Sequence, residues 1–148
     1  VGSEMCIRDR VVTSLLKEYI QNSKRASEQL DIRLPHGNIW ILAQEKILTR
    51  ILCNLIDNAL KYSTGDIMFY MWGESEYCHI QISNPSDYIS DEELKSIFDL
   101  FYTKDEARIK SSGIGLYATR KLVIQISGDI QVNYEAGIFT VSIKLPLI

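Results

Sequence analysis

Leu52-Cys53-Asn54-Leu55-Ile56-Asp57-Asn58-Ala59-Leu60-Lys61-Tyr62-Ser63 is the stretch on which the reading of this chain turns. At helical pitch Asn54, Asn58 and Lys61 stand at i, i+4 and i+7 and share one stripe. Leu48, Ile51, Leu52, Leu55 and Ala59 form an apolar stripe pointing roughly 100° away from it. Packing alone gives a helix no reason to carry two carboxamides and a lysine in line. A helix lining a polyphosphate pocket has one. An Asn oxygen can complete the octahedron of a Mg²⁺ ion that stays mostly ligated by water and phosphate, and Lys61 supplies a point charge for the phosphates. Taken by itself, the segment reads equally well as the solvated face of an amphipathic helix.

The second half of the chain separates the two readings. Ser111-Ser112-Gly113-Ile114-Gly115-Leu116 is a glycine-spaced turn that leads into a helix from Tyr117 onward. Glycines let a backbone approach a ligand closely, and N–H groups at a helix start point at anionic oxygens. A lone Gly-x-Gly is a weak signal. Its place after the Asn-stripe helix and before a final pair of strands strengthens it.

With these residues together, the chain resembles the ATP-binding catalytic domain of a sensor histidine kinase, in the superfamily shared with gyrase-, Hsp90- and MutL-type ATPases. Asn54 to Ser63 matches the N-box, Asn-Leu-x-x-Asn-Ala-x-Lys-Tyr. Ile97-Phe98-Asp99-Leu100-Phe101 resembles the F-box, and Gly113-x-Gly115-Leu116 the second glycine box. Residues 127–130 and 137–146 resemble the closing strands. The resemblance runs over residues 11–146.

The resemblance implies ATP and Mg²⁺ as cofactors, with Asn58 as the main metal ligand and Asn54 in support. It makes Asn54, Asn58 and Lys61 the catalytic set. The cofactor-binding set is those three with Tyr62, Asn84, Ile89, Phe101, Lys104, Ser112, Gly113, Ile114, Gly115, Leu116 and Thr140. Residues 102–112, charged and without a core period, stand where the family carries its ATP lid, which makes Lys104, Arg108 and Lys110 phosphate-contact candidates. A plain surface loop would read the same.

Two departures refine the picture. The first glycine box, usually Asp-x-Gly-x-Gly-Ile, is Asn84-Pro85-Ser86-Asp87-Tyr88-Ile89 here. Asn84 replaces the Asp that accepts from the adenine amino group; its carbonyl can still accept, without charge assistance. Ser86 and Tyr88 replace glycines, so the backbone there is less free to approach the base. Second, gyrase-like members carry a Glu general base four residues before the metal-binding Asn, whereas this chain has the amide Asn54. That suits an imidazole nucleophile supplied from elsewhere, which needs little activation near neutral pH. Neither His36, in a turn, nor His79, in a strand pattern, reads as that acceptor.

Length and composition agree with one domain. The 148 residues are 46% hydrophobic and 24% charged, enough for a core and no sign of disorder. A net charge of -3 leaves no basic footprint for nucleic acid or acidic lipid. Cys6, Cys53 and Cys78 are odd in number and lack metal-ligand spacing, which reads as reduced cytosolic thiols. No apolar run is long enough to span a bilayer, so no direct membrane insertion is expected. The expected localisation is cytoplasmic, as the cytosolic part of a membrane-bound sensor or otherwise. Residues 1–10 have no clear period, resemble a leader found before unrelated reading frames, and are set aside as non-native; residues 11–148 form the domain.

The periodicities place a helix over 11–30, strands over 31–34 and 38–42, the N-box helix over 44–62, and strands over 66–72 and 77–83. A helix over 91–100 is capped by Ser90 with Glu93 three residues on, and a hairpin closes around Glu135-Ala136-Gly137. The expected fold is α+β, a two-layer sandwich of a mixed sheet with helices on one face, the Bergerat-type ATP-binding fold. The expected function is the catalytic part of a two-component sensor kinase, donating the γ-phosphoryl of ATP to a histidine. Its partners would be the dimerisation and phosphoacceptor domain of the same protein, then a response regulator. The alternative is a degenerate, non-catalytic module of the same fold that works through protein–protein contact.

Overall fold

Alternation along the long strands builds the sheet. In β4 (Ile67–Glu74), Ile67, Phe69 and Met71 are buried while Met68 and Tyr70 are exposed. In β5 (Tyr77–Pro85) and β7 (Ile138–Pro146) the same period buries Cys78, Ile80, Ile82, Phe139, Val141, Ile143 and Leu145. A period of two puts all of these on one face. The computed structural model describes residues 6–34, 39–99 and 113–147. The remaining strands are β1 (Cys6–Arg8), β2 (Leu30–Arg33), β3 (Trp40–Leu42) and β6 (Asp129–Glu135). The helices are α1 (Asp9–Asn22), α2 (Lys24–Gln29), α3 (Glu45–Tyr62), α4 (Asp91–Lys95) and α5 (Gly113–Gln125).

Five strands pair in the order β2-β4-β5-β7-β6, and β1 pairs with β3 in a separate two-stranded sheet. β2 runs parallel to β4, and the other pairs of the large sheet are antiparallel. The architecture is α+β with a mixed sheet, as the periodicities predict. α3 covers the inner face with Leu48, Ile51, Leu52, Leu55, Ile56 and Ala59, all buried. Each fully buried Leu or Ile contributes about 1.5–3 kcal/mol relative to exposure. Val12 and Leu16 of α1 and Leu116 and Val123 of α5 complete the same core.

Four local differences from the sequence reading have physical causes. The helix expected over 11–30 is two helices. Ser23 is extended (φ -136°, ψ 116°), and its hydroxyl accepts from the Ala26 N–H, so the serine caps a new helix instead of continuing the old one. The helix expected over 91–100 stops at Lys95. Its capping box forms as predicted, with Ser90 and Glu93 bonding each other's backbone N–H. Ser96 then leaves the helix at φ -93°, ψ 0°, and Ile97 turns into the core. β4 runs past its expected end at residue 72 through Gly73 and Glu74, with Glu74 paired to Tyr77, which leaves Ser75-Glu76 as the turn. Lastly, α5 begins at Gly113, so both glycines of the second glycine box occupy its first turn. The first N–H groups of any helix lack an intrahelical acceptor, which is the property the glycine-spaced turn was read for. Residues 1–10 were set aside in the sequence reading; within them the structure places β1 and the start of α1.

Candidate nucleotide site

α3 carries the site. Its apolar stripe is pinned to the sheet, so the helix cannot rotate without exposing six buried side chains. That fixes where the polar stripe points. Asn54 and Asn58 are half-buried, Lys61 is exposed in the last turn, and Tyr62 is half-buried beside it. The Lys61 ammonium lies 5.8 Å from the centre of the Tyr62 ring.

Asn58 Oδ1 is the outlier. It is shut off from solvent and has no hydrogen-bond partner among the described residues. Leaving a buried amide oxygen unpaired costs about 1–3 kcal/mol. An amide oxygen has two lone pairs and is a hard ligand, so this atom suits a Mg²⁺ ion that keeps phosphate and water in its remaining positions. Among the described residues no three His, Cys, Asp or Glu side chains converge, so an all-carboxylate or thiolate site is not what these residues offer.

The far side of α3 is held by α1 and α2. The Tyr19 hydroxyl donates to Asp57 Oδ1 at 3.0 Å and reaches the Cys53 carbonyl at 3.5 Å. Burial first, then the Cys53 hydrogen bond and the Asp57 charge, push the ionisation of this phenol above its ordinary range. Arg25 Nη2 donates to the Ser63 carbonyl at 3.0 Å, placing a cation at the C-terminal end of α3 where the helix dipole favours one.

Asn84 approaches from the sheet. It sits near the end of β5 on the inner face, 3% exposed, as the Cα partner of Phe139. Its Nδ2 donates to the Pro85 carbonyl at 3.1 Å, and the same carbonyl accepts from the Thr64 N–H at 3.0 Å, just beyond α3. Ser86 N–H donates to the Gly137 carbonyl at 3.1 Å, tying the altered first glycine box to the β6–β7 turn. Tyr88 is 72% exposed and meets Tyr134 edge-on at 6.3 Å.

The C-terminal end of α3, with Lys61 and Tyr62, meets the end of β5 beside Asn84 through the Thr64 N–H to Pro85 carbonyl bond, and Asn58 and Asn54 lie about one and two turns earlier in the helix. Ile89 and Leu116 lie in the core cluster, 7% and 3% exposed. Gly113, Ile114 and Gly115 open α5, which packs against α3. Phe101, Lys104 and Ser112, like Arg108, Lys110 and His36, fall outside the described residues.

Thr140 requires a correction. It pairs with Ser83, and their hydroxyls lie 3.0 Å apart on the open face of the sheet, opposite the helices. Register decides this: Phe139, Val141, Ile143 and Leu145 face inward, so Thr140, Ser142 and Lys144 must face out. The inward residue beside Asn84 is Phe139, which the sequence reading passed over although the alternation carried the signal. Tyr19, which the sequence places only within the helix expected over 11–30, is a further contact of α3. His79 is on the open face too, stacked on Trp72 at 5.0 Å and 4.0 Å from Glu74, a structural setting.

The chain and its fold have counterparts among known proteins. Residues 43–148 match the family model described as histidine kinase-, DNA gyrase B-, and HSP90-like ATPase. Sensor protein RprX of Bacteroides fragilis is 28% identical over 95% of this chain and 28% of its own length. Sensor histidine kinase YcbM of Bacillus subtilis is 31% identical over 78% of this chain and 40% of its own. The chain thus spans well under half the length of these curated relatives. Among solved structures, the catalytic domain of histidine kinase ThkA superposes with a TM-score of 0.78 over 95% of both chains at 18% identity.

Proposed function

The chain belongs to the histidine kinase-, DNA gyrase B-, and HSP90-like ATPase family, and from that premise we propose that it is the ATP–Mg²⁺-binding catalytic part of a two-component sensor histidine kinase. The observation that carries the proposal is the buried, unpartnered Asn58 Oδ1 on the polar stripe of α3. A fold that keeps such an atom sacrifices stability at a place where a cation would recover it.

In this reading Asn58 holds the metal, with Asn54 one turn earlier in support. When bound, Mg²⁺ neutralises charge on the phosphate oxygens. Lys61 adds a mobile cation on the same stripe, and the start of α5 directs free N–H groups at anionic oxygens. Asn54, an amide, cannot take a proton from water, so this chain orients a nucleotide without activating water, and hydrolysis by the chain alone is slow. The phosphoryl acceptor is a histidine on a dimerisation domain of the same protein, and a response regulator receives the phosphoryl group next. Catalysis is then mainly positioning and charge neutralisation. Such a donor works on the cytoplasmic side, where ATP is. Among the described residues no helix is long and apolar enough to cross a membrane.

The second reading, a degenerate interaction module, draws on Ser86 and the exposed Tyr88 in place of glycines. A titration of the 148-residue chain with a fluorescent ATP analogue, with and without Mg²⁺, separates the two. Saturable binding that strengthens with Mg²⁺, and loses that dependence in Asn58→Ala, is the expected result. A folded sample that binds no nucleotide up to millimolar concentration leaves only the interaction module.

A further inference from the structure

Among the described residues, Lys61 is a cation without a counter-ion. It is exposed in the last turn of α3, its ammonium lies near the Tyr62 ring, and it forms no ion pair there. The helix nonetheless supplies a carboxylate at the right spacing. Asp57 stands four residues before Lys61, and an acidic residue at i with a lysine at i+4 is the favoured order for a helical ion pair. Asp57 is engaged elsewhere instead: its Oδ1 accepts from the Tyr19 hydroxyl at 3.0 Å.

Tyr19 is built to hold that carboxylate. Val12 and Leu16, fully buried, fasten α1 to the core, and Tyr19 follows Leu16 by three residues on the same side of the helix. Its carbonyl is tied as well, accepting from the Ser23 N–H at 3.0 Å where α1 gives way to α2. The hydroxyl also reaches the Cys53 carbonyl at 3.5 Å, so it bridges two turns of α3. A hydrogen bond to a charged group is on average worth more than an exposed helical ion pair, which keeps the carboxylate with the phenol. We propose that Tyr19 is a positioning residue for phosphate binding: by drawing the Asp57 carboxylate toward α1, it leaves Lys61 uncompensated and available to an anionic ligand. Without the phenolic donor, Asp57 is free to swing one turn along α3 onto Lys61. The lysine is then partly neutralised, and its charge is withdrawn from the phosphates.

This inference rests on the nucleotide-binding reading above, and the experiment keeps the two apart. The 148-residue chain and its Tyr19→Phe, Asp57→Asn and doubly substituted forms are titrated with the fluorescent ATP analogue at saturating Mg²⁺. Tyr19→Phe is expected to bind about threefold more weakly, the scale of one partly exposed charge interaction. Asp57→Asn should stay within about twofold of the unsubstituted chain, because the carboxylate it removes is already turned away. The double variant should bind as Asp57→Asn does, so that the loss caused by Tyr19→Phe disappears once there is no carboxylate to release. That loss should also shrink at about 0.5 M KCl, where exposed charge interactions are screened. A loss that persists undiminished in the Asp57→Asn background, or that ignores salt, would make Tyr19 a plain packing contact of α3 and overturn the proposal. Unchanged affinity in Tyr19→Phe would overturn it too. So would a gain of about tenfold in Asp57→Asn, a result that needs no change at Tyr19 and would show Asp57 already neutralising Lys61. If the unsubstituted chain binds no nucleotide, the nucleotide reading fails, and this inference with it.

Discussion

Tyr19 and Asp57 join two helices at the site: the phenol of α1 donates to the carboxylate of α3 at 3.0 Å, one residue before Asn58. Asp57 is thereby turned toward α1, on the flank of α3 that borders the Asn54, Asn58 and Lys61 stripe. The contact gives the N-box helix a fixed neighbour on its outer flank.

The Tyr19 contact sets an alkaline limit. The folded state holds the phenol protonated above its ordinary value near 10. Between the unfolded and folded values the native state binds the extra proton, so stability is full below about pH 10 and falls as pH rises beyond it. Tyr19→Phe should cost about 0.5–1.5 kcal/mol at neutral pH through the lost hydrogen bond. Thermal melts from pH 7 to 11 should then show the gap to the parent chain narrowing above pH 10. A gap that stays constant would mean that the phenol does not titrate on unfolding.

Asn58 should behave oppositely for stability and for binding. Its Oδ1 is buried without a partner among the described residues, so Asn58→Leu removes an unsatisfied group while keeping the branching of the side chain. Urea unfolding without nucleotide should show stability unchanged or raised by roughly 1 kcal/mol, while Mg²⁺-dependent binding of ATP disappears. A large loss of stability would mean that the amide is structural.

The end of α5 tests backbone geometry. Ser127 has φ 62°, and the Gly128 N–H closes the helix on the Val123 carbonyl at 2.9 Å. Ser127→Gly should stabilise by roughly 0.5–1 kcal/mol, since glycine adopts this conformation without strain. At Gly128 a Cβ would stand 2.8 Å from the Lys144 carbonyl and 2.7 Å from Leu145 Cδ2. Gly128→Ala should therefore cost about 1–3 kcal/mol. Denaturant midpoints of the two variants should move in opposite directions.

Thr140 should be silent in binding. Its hydroxyl meets Ser83 on the open face, away from α3 and Asn84. Thr140→Val should leave ATP affinity within about twofold and change stability by less than about 1 kcal/mol. A tenfold loss of affinity would place Thr140 at the nucleotide after all.

Much was legible in the chain alone because it depends on neighbours in sequence. The α3 stripe needs only the helical period: Leu48, Ile51, Leu52, Leu55 and Ala59 are buried as a set, which leaves Asn54, Asn58 and Lys61 on another side. The Ser90–Glu93 capping box and the Ala136-Gly137 hairpin turn, with φ 53° and 81°, are also local signals. The Ser23 cap is local too, but it was hidden by apolar positions that continue in helical register on both sides.

What the tertiary structure decided are relationships between residues far apart in the chain. Alternation says that Phe139 and Thr140 face opposite ways; the pairing of β5 with β7 puts Phe139 beside Asn84 and Thr140 beside Ser83. The parallel pairing of β2 with β4, the contact of Tyr19 with Asp57 across 38 residues, and the burial of Asn58 Oδ1 have no local signature. The sequence by itself determined which elements form and which residue types line the polar stripe, because backbone period and capping are short-range. Which atoms end up paired, orphaned or locked in orientation follows from packing a helix layer against a sheet, where each contact depends on distant partners.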